Sequence, residues 1–316
     1  MKAYTLKQIG GVENLVQKEI PTPQIKNNQV LVKVKAIGIN PVDAFVRSSE
    51  QGLSIFVNPG KGEEVILGWD IAGIIETVGS EVNGLKTGDE VFGLINFKGH
   101  GKAYAEYVAV DAAQVALKPG NISFEAAGAA TLAALTAWQA LVTHAQIKKD
   151  DKVLIHGASG GVGHYAVQIA KHVGAFVIGV GSSENKDFIL SLGADQFIDY
   201  KKEKFEEIVR DADVILDSLD KENLKRSFSA LKTGGRLVSL ITFFDDELKA
   251  LIAHKKAQAY RMTVESNGND MKSLADLLQQ GALRSHVTKV YPFDQLPDAH
   301  IQVETHKTRG KIVVTV

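Results

Sequence analysis

The chain has 316 residues, long enough for two separate cores. Its 36 Lys plus Arg against 37 Asp plus Glu give a formal charge of −1, which argues against nucleic acid or an anionic membrane surface as the main partner. The absence of cysteine excludes disulfides, thiolate metal sites, iron–sulfur clusters and a cysteine nucleophile.

The N-terminal Met1-Lys-Ala-Tyr-Thr-Leu is already strand-like, without the apolar run of a secretory signal. Nothing downstream approaches the roughly 18 apolar residues of a membrane span, so a cytoplasmic protein with no membrane partner is the expectation. Short alternating or apolar runs at 30–36, 71–78, 90–94 and 105–110, punctuated by glycine, predict a mainly β domain. From 126 to 142 alanine and leucine dominate without a turn signal, which predicts a buried helical connection. Beyond Lys152 strand and helix alternate: strands at 153–156, 176–180, 196–198, 214–216 and 236–241, and helices from Val162, around 187–192 and near 222–231. That alternation predicts a parallel doubly wound sheet. A further pair follows at 257–264 and 271–280, and the tail segments 287–293 and 310–316 read as strands that return to the first domain.

The stretch Val153-Leu-Ile-His-Gly-Ala-Ser-Gly-Gly-Val-Gly163 joins a buried strand to an amphipathic helix through a glycine turn. Glycine allows the tight turn and the close approach of a phosphate, and the helix start offers N–H groups and a positive dipole to an anion. Ser159, Gly160, Gly161 and Val162 are therefore candidate pyrophosphate contacts of a dinucleotide. Ala158 stands where the usual G-x-G-x-x-G pattern has its first glycine. After the second strand an NAD site usually presents a carboxylate to the ribose; here Gly181-Ser182-Ser183 stand there, with Lys186 just beyond and Tyr200 after the next strand. Two hydroxyls, a cation and no acid favour NADPH over NADH. Glu184 counts against this, and Lys186 also reads as an ordinary solvated helix-start residue.

Seven segments taken in order, Gly38-Ile-Asn-Pro-Val-Asp43, Gly68-Trp-Asp-Ile-Ala-Gly73, Gly88-Asp-Glu-Val-Phe-Gly93, Ala103-Tyr-Ala-Glu-Tyr107, Leu135-Thr-Ala-Trp138, the glycine turn at 157–163 and Thr308-Arg-Gly-Lys-Ile-Val313, resemble the zinc-free quinone oxidoreductase branch of the medium-chain dehydrogenase/reductase superfamily. The resemblance covers essentially the whole chain. It implies an α/β protein in which a GroES-like, mainly β catalytic domain (1–122 and 266–316) surrounds a Rossmann NADPH-binding domain (123–265). It also implies a homodimer joined through an edge strand of the coenzyme sheet, with 236–241 as the candidate. Zinc-dependent alcohol dehydrogenases of the superfamily carry a cysteine ligand where this chain has Asn40 and a histidine ligand where it has Trp69, neither of which suits zinc. Val42 likewise replaces their proton-relaying hydroxyl.

Without a Lewis acid, the chemistry rests on a cofactor hydride and an acceptor that takes it readily, a small-molecule quinone or the β-carbon of an α,β-unsaturated carbonyl. Asn40 is the first candidate to polarise a carbonyl, although Asn-Pro is also a turn former. Asp43 reads as loop structure or general acid, and Tyr104 as proton donor, wall or core, with Tyr107 open to the same readings of wall and core. Phe45 stands where relatives often have tyrosine, and Arg47 is a candidate for the cleft mouth. The resemblance places Thr136, Ile241, Thr242 and Phe243 beside the nicotinamide and Asn267 over the cofactor. Arg309 and Lys311 are candidate phosphate contacts or plain surface charge. His156 and His164 read as structural. The competing function is a noncatalytic NADPH-binding protein with a structural or RNA-binding role, as for some relatives; no nucleic-acid partner is expected, because the chain lacks a basic aromatic stripe.

Overall fold

The structure, a computed structural model, describes residues 1–316. Contacts divide the chain into Met1–Leu135 with Val264–Val316, and Thr136–Thr263.

The first unit opens with β1 (Lys2–Leu6), paired antiparallel to β2 (Leu15–Glu19). Then come β3 (Gln29–Ile39), α1 (Pro41–Ser48), α2 (Glu50–Phe56), β4 (Asp70–Val78), β5 (Glu90–Leu94), β6 (Tyr107–Asp111) and β7 (Ala116–Leu117). Val30, Val32, Val34 and Ala36 alternate along β3 and are buried, the period-two pattern of a strand with one face on a core. Its length lets β3 pair antiparallel with β4, β6 and the C-terminal strand. Proline at the first position of α1 costs no hydrogen bond there, and Asn40 caps it in a reciprocal box with Asp43.

The predicted continuous helix over 126–142 is three pieces instead: α3 (Phe124–Ala129), α4 (Leu132–Trp138) and a π-helical turn at Gln139–His144. The hydroxyl of Thr131 donates to the Gly128 carbonyl, and Ala130 leaves helical geometry, so the backbone breaks where the composition shows only helix formers. α3 packs on β3 and β4, which keeps it with the first unit.

In the second unit the elements are β8 (Lys152–Ile155), α5 (Gly163–Val173), β9 (Phe176–Gly181), α6 (Lys186–Ser191), β10 (Gln196–Asp199), α7 (Phe205–Ile208), β11 (Ala212–Asp217), α8 (Lys221–Ala230), β12 (Leu231–Ser239), α9 (Asp246–Lys255) and β13 (Gln258–Arg261). All six strands are parallel, in the order β10-β9-β8-β11-β12-β13. Numbered along the sheet's own chain order this is 3-2-1-4-5-6, the order of a dinucleotide-binding doubly wound fold. Leu154, Ile178, Ile215 and Leu237, one from each of four strands, anchor its core against Leu224, Phe228 and Leu248 from the helices. One expectation fails here: 236–241 is not a sheet edge, because β12 is flanked on both sides and β13 takes the edge.

The chain then returns to the first unit through α10 (Gly268–Gln279), β14 (Val287–Pro292), α11 (Leu296–Glu304) and β15 (Lys311–Thr315). β15 lies antiparallel on β3, completing the sheet β14-β15-β3-β4-β5-β7. No helix is long and apolar enough to cross a membrane.

Candidate active site

The glycine turn follows β8 at the C-terminal edge of the parallel sheet, where ligands of such sheets bind. Gly157 adopts φ +61°, a left-handed conformation that favours glycine. A Cβ on Gly163 would overlap the Gly157 carbonyl oxygen, so the close contact of helix start with turn requires glycine at that position. Ala158, at the position of the missing first glycine, is buried and donates its N–H to the Val180 carbonyl at 3.0 Å; it knits the turn to β9. Ser159, Gly160, Gly161 and Val162 stay half-exposed at the N-terminus of α5, a cradle that fits a pyrophosphate. Nδ1 of His164 donates to the Gly160 carbonyl at 2.9 Å, and His156 lies buried against Ser227 at 3.0 Å. Both histidines hold structure, and burial pushes His156 down to about 4, leaving it neutral.

At the end of β9, Ser182 is buried and donates to Glu184 at 2.9 Å, whereas Ser183 and Lys186 are exposed. Tyr200 is 57% exposed and its N–H reaches the Gly181 carbonyl at 3.2 Å, so its ring stands at the same rim. The sequence reading missed Asp199 here. Register places it opposite Gly181, and it accepts from the Ser183 hydroxyl and, at 3.0 Å, from the Lys201 N–H. These bonds, that of Ser183 foremost, hold the carboxyl below its usual range, with Lys202 at 3.7 Å. The signal was an acid at the end of the third strand rather than the second.

Past β12, the buried Ser239 hydroxyl donates to the Thr242 carbonyl at 3.0 Å and accepts its N–H at 3.1 Å, pinning the loop that carries Ile241, Thr242 and Phe243. Phe243 is 75% exposed, with the Arg261 guanidinium 4.5 Å above its ring. Thr136 is buried on α4.

The first unit holds a second constellation. Asn40, Asp43, Asp70, Tyr104, His300 and Lys311 are all buried. The Asn40 amide donates to Asp70 at 2.7 Å and accepts from the Lys311 ammonium, while its backbone N–H donates to Asp43 at 2.7 Å. Lys311 also donates to the Ile39 carbonyl at 3.0 Å and lies 3.8 Å from Asp70, whose other oxygen takes the Leu132 N–H at 2.8 Å. The Tyr104 hydroxyl pairs with Nε2 of His300 at 2.9 Å. Oδ1 of Asp43 and Nδ1 of His300 have no partner.

This geometry corrects two assignments. Lys311 is no phosphate contact, because its ammonium is enclosed by a carbonyl, an amide and a carboxylate. Arg47 does not shape a cleft mouth: it is buried, donating to the Gly10 carbonyl at 2.7 Å and to Glu304. The structure gathers Asn40, Asp43 and Tyr104 into one cluster, with Asn40's amide bonded internally on both sides. Tyr107 is half-buried on β6, beneath Lys33. Asn267 caps α10, its side chain accepting from the N–H groups of Asn269 and Asp270. Arg309 is half-buried in the turn before β15 and takes the Thr288 hydroxyl on its carbonyl. Asp70 and His300 were missed; an acid opening the apolar run Asp70-Ile-Ala-Gly-Ile-Ile, and a histidine on the Leu296–Ala299–Val303 face, were the available signals.

The cluster contains one ammonium for two carboxyl groups. Burial pushes Asp43 up to about 7 and the neighbouring Asp70 adds to the rise, outweighing the Asn40 N–H and Lys311. Burial likewise raises Asp70 and lowers Lys311, and it drives His300 down to about 3 with help from Arg47. Tyr104 is held well above its ordinary value, by burial first and then by the two carboxylates. The arrangement can therefore hold a proton near neutrality, on Asp43, in a site where an excess charge is costly.

Residues 26–120 match the alcohol dehydrogenase GroES-like domain family, and 192–314 match the family described as zinc-binding dehydrogenase. A 2-methylene-furan-3-one reductase of Solanum lycopersicum is 36% identical over 99% of this chain and 79% of its own length. An NADPH-dependent alkenal/one oxidoreductase, chloroplastic, of Arabidopsis thaliana is 34% identical over the same shares. Among solved structures, the quinone oxidoreductase from Coxiella burnetii superposes with a TM-score of 0.91 at 33% identity, covering 100% of this chain and 99% of that one.

Proposed function

Because the chain belongs to the quinone oxidoreductase branch of the medium-chain dehydrogenase/reductase superfamily, we propose that it transfers hydride from NADPH to a quinone or to the β-carbon of an α,β-unsaturated carbonyl. The observation that carries the reading is the glycine turn, whose close contact with the start of α5 admits no Cβ at Gly163 and which opens at the C-terminal edge of a 3-2-1-4-5-6 parallel sheet. NADPH, when bound, supplies the hydride.

The chain's own groups bind and position. Ser159, Gly160, Gly161 and Val162 hold the pyrophosphate with backbone N–H groups and the α5 dipole. Ser182, Ser183, Lys186 and Tyr200 line the ribose-phosphate side; the two serine hydroxyls donate to a phosphate only by leaving Glu184 and Asp199, which they bond in its absence. Within the second unit Thr136, Ile241, Thr242 and Phe243 complete the coenzyme contacts, and the sequence resemblance adds Asn267 and Arg309 of the first unit.

Metal independence is part of the proposal. Asn40 offers an amide already bonded to Asp70 and Lys311, and Trp69 is a buried indole that donates to the Gly99 carbonyl at 2.9 Å. Neither side chain is a useful zinc ligand, and a lysine beside Asn40 opposes a second cation. Asn40, Asp43 and Tyr104 act as positioning groups: they fix the turn at Pro41 and keep a proton within the cluster. Each turnover needs one proton besides the hydride, to complete a hydroquinone or to saturate the α-carbon of an enolate.

The test is a stopped-flow experiment that mixes NADPH-loaded protein with an ortho-quinone or an alkyl vinyl ketone. Loss of the nicotinamide absorbance with at least one acceptor, undiminished by chelator, is expected. Tight NADPH binding with no absorbance loss against either acceptor would leave a noncatalytic binding protein.

A further inference from the structure

Arg261 closes β13 and stands opposite Ser239 in the register of the two strands, at the C-terminal edge of the parallel sheet. The Ser239 hydroxyl pins the loop that carries Phe243, and the Met262 N–H donates to the Ser239 carbonyl at 3.1 Å, so one residue ties the arginine to that loop. The guanidinium lies 4.5 Å from the centre of the Phe243 ring. One end of its fork is spent within the chain, where Nη1 donates to the Met262 carbonyl and, at 3.3 Å, to the Thr263 hydroxyl. The other edge is not. Nε is shielded from solvent with no acceptor, and Nη2 makes no hydrogen bond to the protein.

A guanidinium stays protonated at any physiological pH, so its charge has to be met by solvent or by an anion. Elsewhere in the chain carboxylates do this: Glu304 for Arg47, Glu206 for Arg226 and Asp151 for Arg236. Arg261 is half-buried, and burial holds it below its ordinary value with no acid near enough to offset the cost. A strand end needs no such charge, since a neutral amide also donates to a carbonyl and a hydroxyl.

The place of β13 in the sheet narrows the choice of anion. The phosphates of NADPH belong to the β8 turn and to the rim of β9 and β10. β13 lies three strands from β8 in the opposite direction, about 14 Å at the usual spacing of roughly 4.8 Å. The nicotinamide end falls between them, at the loop after β12. Arg261 therefore stands past the reacting end of the coenzyme, on the side of the acceptor.

We infer that the Nε–Nη2 edge of Arg261 is a carboxylate site, and that the chain favours enones bearing a carboxylate beside the reacting double bond. The inference rests on the reductase reading above and names its substrate class. The edge presents two parallel N–H groups, the geometry that receives both oxygens of a carboxylate. Phe243, 75% exposed, turns aside to uncover Nε and offers its face to the conjugated chain. In trans-4-oxopent-2-enoate the hydride that NADPH supplies forms a C–H bond at the carbon next to the carboxylate, which is β to the ketone. The double-bond pair moves into the enolate, and a proton from solvent completes the second C–H bond, giving 4-oxopentanoate. Pairing with Arg261 offsets the carboxylate charge that otherwise opposes hydride arriving at its neighbour.

The experiment compares kcat/KM for trans-4-oxopent-2-enoate with that for its methyl ester in the native protein, Arg261→Gln and Arg261→Lys. Calorimetry follows binding of 4-oxopentanoate, which lacks the double bond, to the same NADPH-loaded proteins, and the thermal midpoint reports the fold. Arg261→Gln should lower the acid-to-ester ratio about tenfold, mainly through KM for the acid, and weaken 4-oxopentanoate by a similar factor, the scale of a charge-assisted pair. Arg261→Lys, which keeps the charge without the fork, should fall between. Equal changes for acid and ester, or none, in folded variants would overturn the site. So would a loss of NADPH affinity in Arg261→Gln at an unchanged acid-to-ester ratio, because the arginine would then serve a coenzyme phosphate. Native protein that oxidises NADPH with neither compound removes the reductase reading alone, since 4-oxopentanoate binding that Arg261→Gln abolishes still assigns the edge to a carboxylate.

Discussion

Asp43 shows how one buried residue can carry a measurable pH dependence. Its folded-state value of about 7 lies above the ordinary 3.8, so the native state binds the proton more tightly than the unfolded chain does. Its contribution is fully present below pH 3.8 and is lost as pH rises through 7. His156 and His300, lowered to about 4 and about 3, act in the opposite sense, adding stability above pH 6.5 that disappears as pH falls. Asp43→Asn leaves the histidines in place and keeps an oxygen for the Asn40 N–H, so the difference between variant and native reports the Asp43 carboxyl together with its coupling to Asp70 and Lys311. Urea titrations should show the variant gaining on the native protein between pH 5 and pH 8; parallel curves would mean that Asp43 is ionised throughout. Lys186 is a different case, exposed and therefore weakly coupled to stability. Lys186→Ala should lower the ratio of NADPH to NADH affinity about fivefold, the scale of an exposed charge-assisted contact, and an unchanged ratio would remove Lys186 from the phosphate site. The strand ends beside the glycine turn were legible because local spacing places them. Asp70, Lys311 and His300 were not, because their meeting depends on β15 returning to β3 across most of the chain.

At the scale of elements, the β8–turn–α5 unit was the most legible part of the molecule, since an apolar strand, glycines and an amphipathic helix follow in unbroken order. Its geometry makes a sharp prediction at Gly163. A methyl group there meets the Gly157 carbonyl, so the start of α5 must move away from the turn. Gly163→Ala should therefore weaken NADPH at least about tenfold and cost roughly 1–3 kcal/mol of stability, the usual range for overpacking a tight contact. Calorimetry of NADPH binding and a thermal melt check both, and a variant that keeps native affinity would show that the turn tolerates the shift. The segment 126–142 reads otherwise. Its composition favours helix throughout, yet the Thr131–Gly128 bond and the packing of α3 on β3 and β4 divide it. Helix propensity is a weak prior, and tertiary contacts decided the breaks.

At the scale of the whole molecule, the edges of the coenzyme sheet decide where a second copy could pair. The sequence resemblance implies a dimer through the coenzyme sheet as an expectation, and the strand order leaves β10 and β13 as the edges of that sheet. β10 is a poor self-pairing edge, because Asp195 precedes it and Tyr200, Lys201 and Lys202 follow it. β13 offers Gln258, Ala259 and Tyr260 before Arg261, with Tyr260 half-buried against His144 at 5.5 Å. An antiparallel match of β13 with its own copy would be a two-fold interface in which the same residues meet each other. A charge placed there meets its equal across the axis. Tyr260→Lys should shift sedimentation from dimer to monomer while NADPH binding persists, since Tyr260 lies at the far side of the sheet from the β8 turn. If the native protein sediments as a dimer and the variant remains one, the copies associate through another surface; if the native protein is a monomer, the β13 edge has no partner of its own kind.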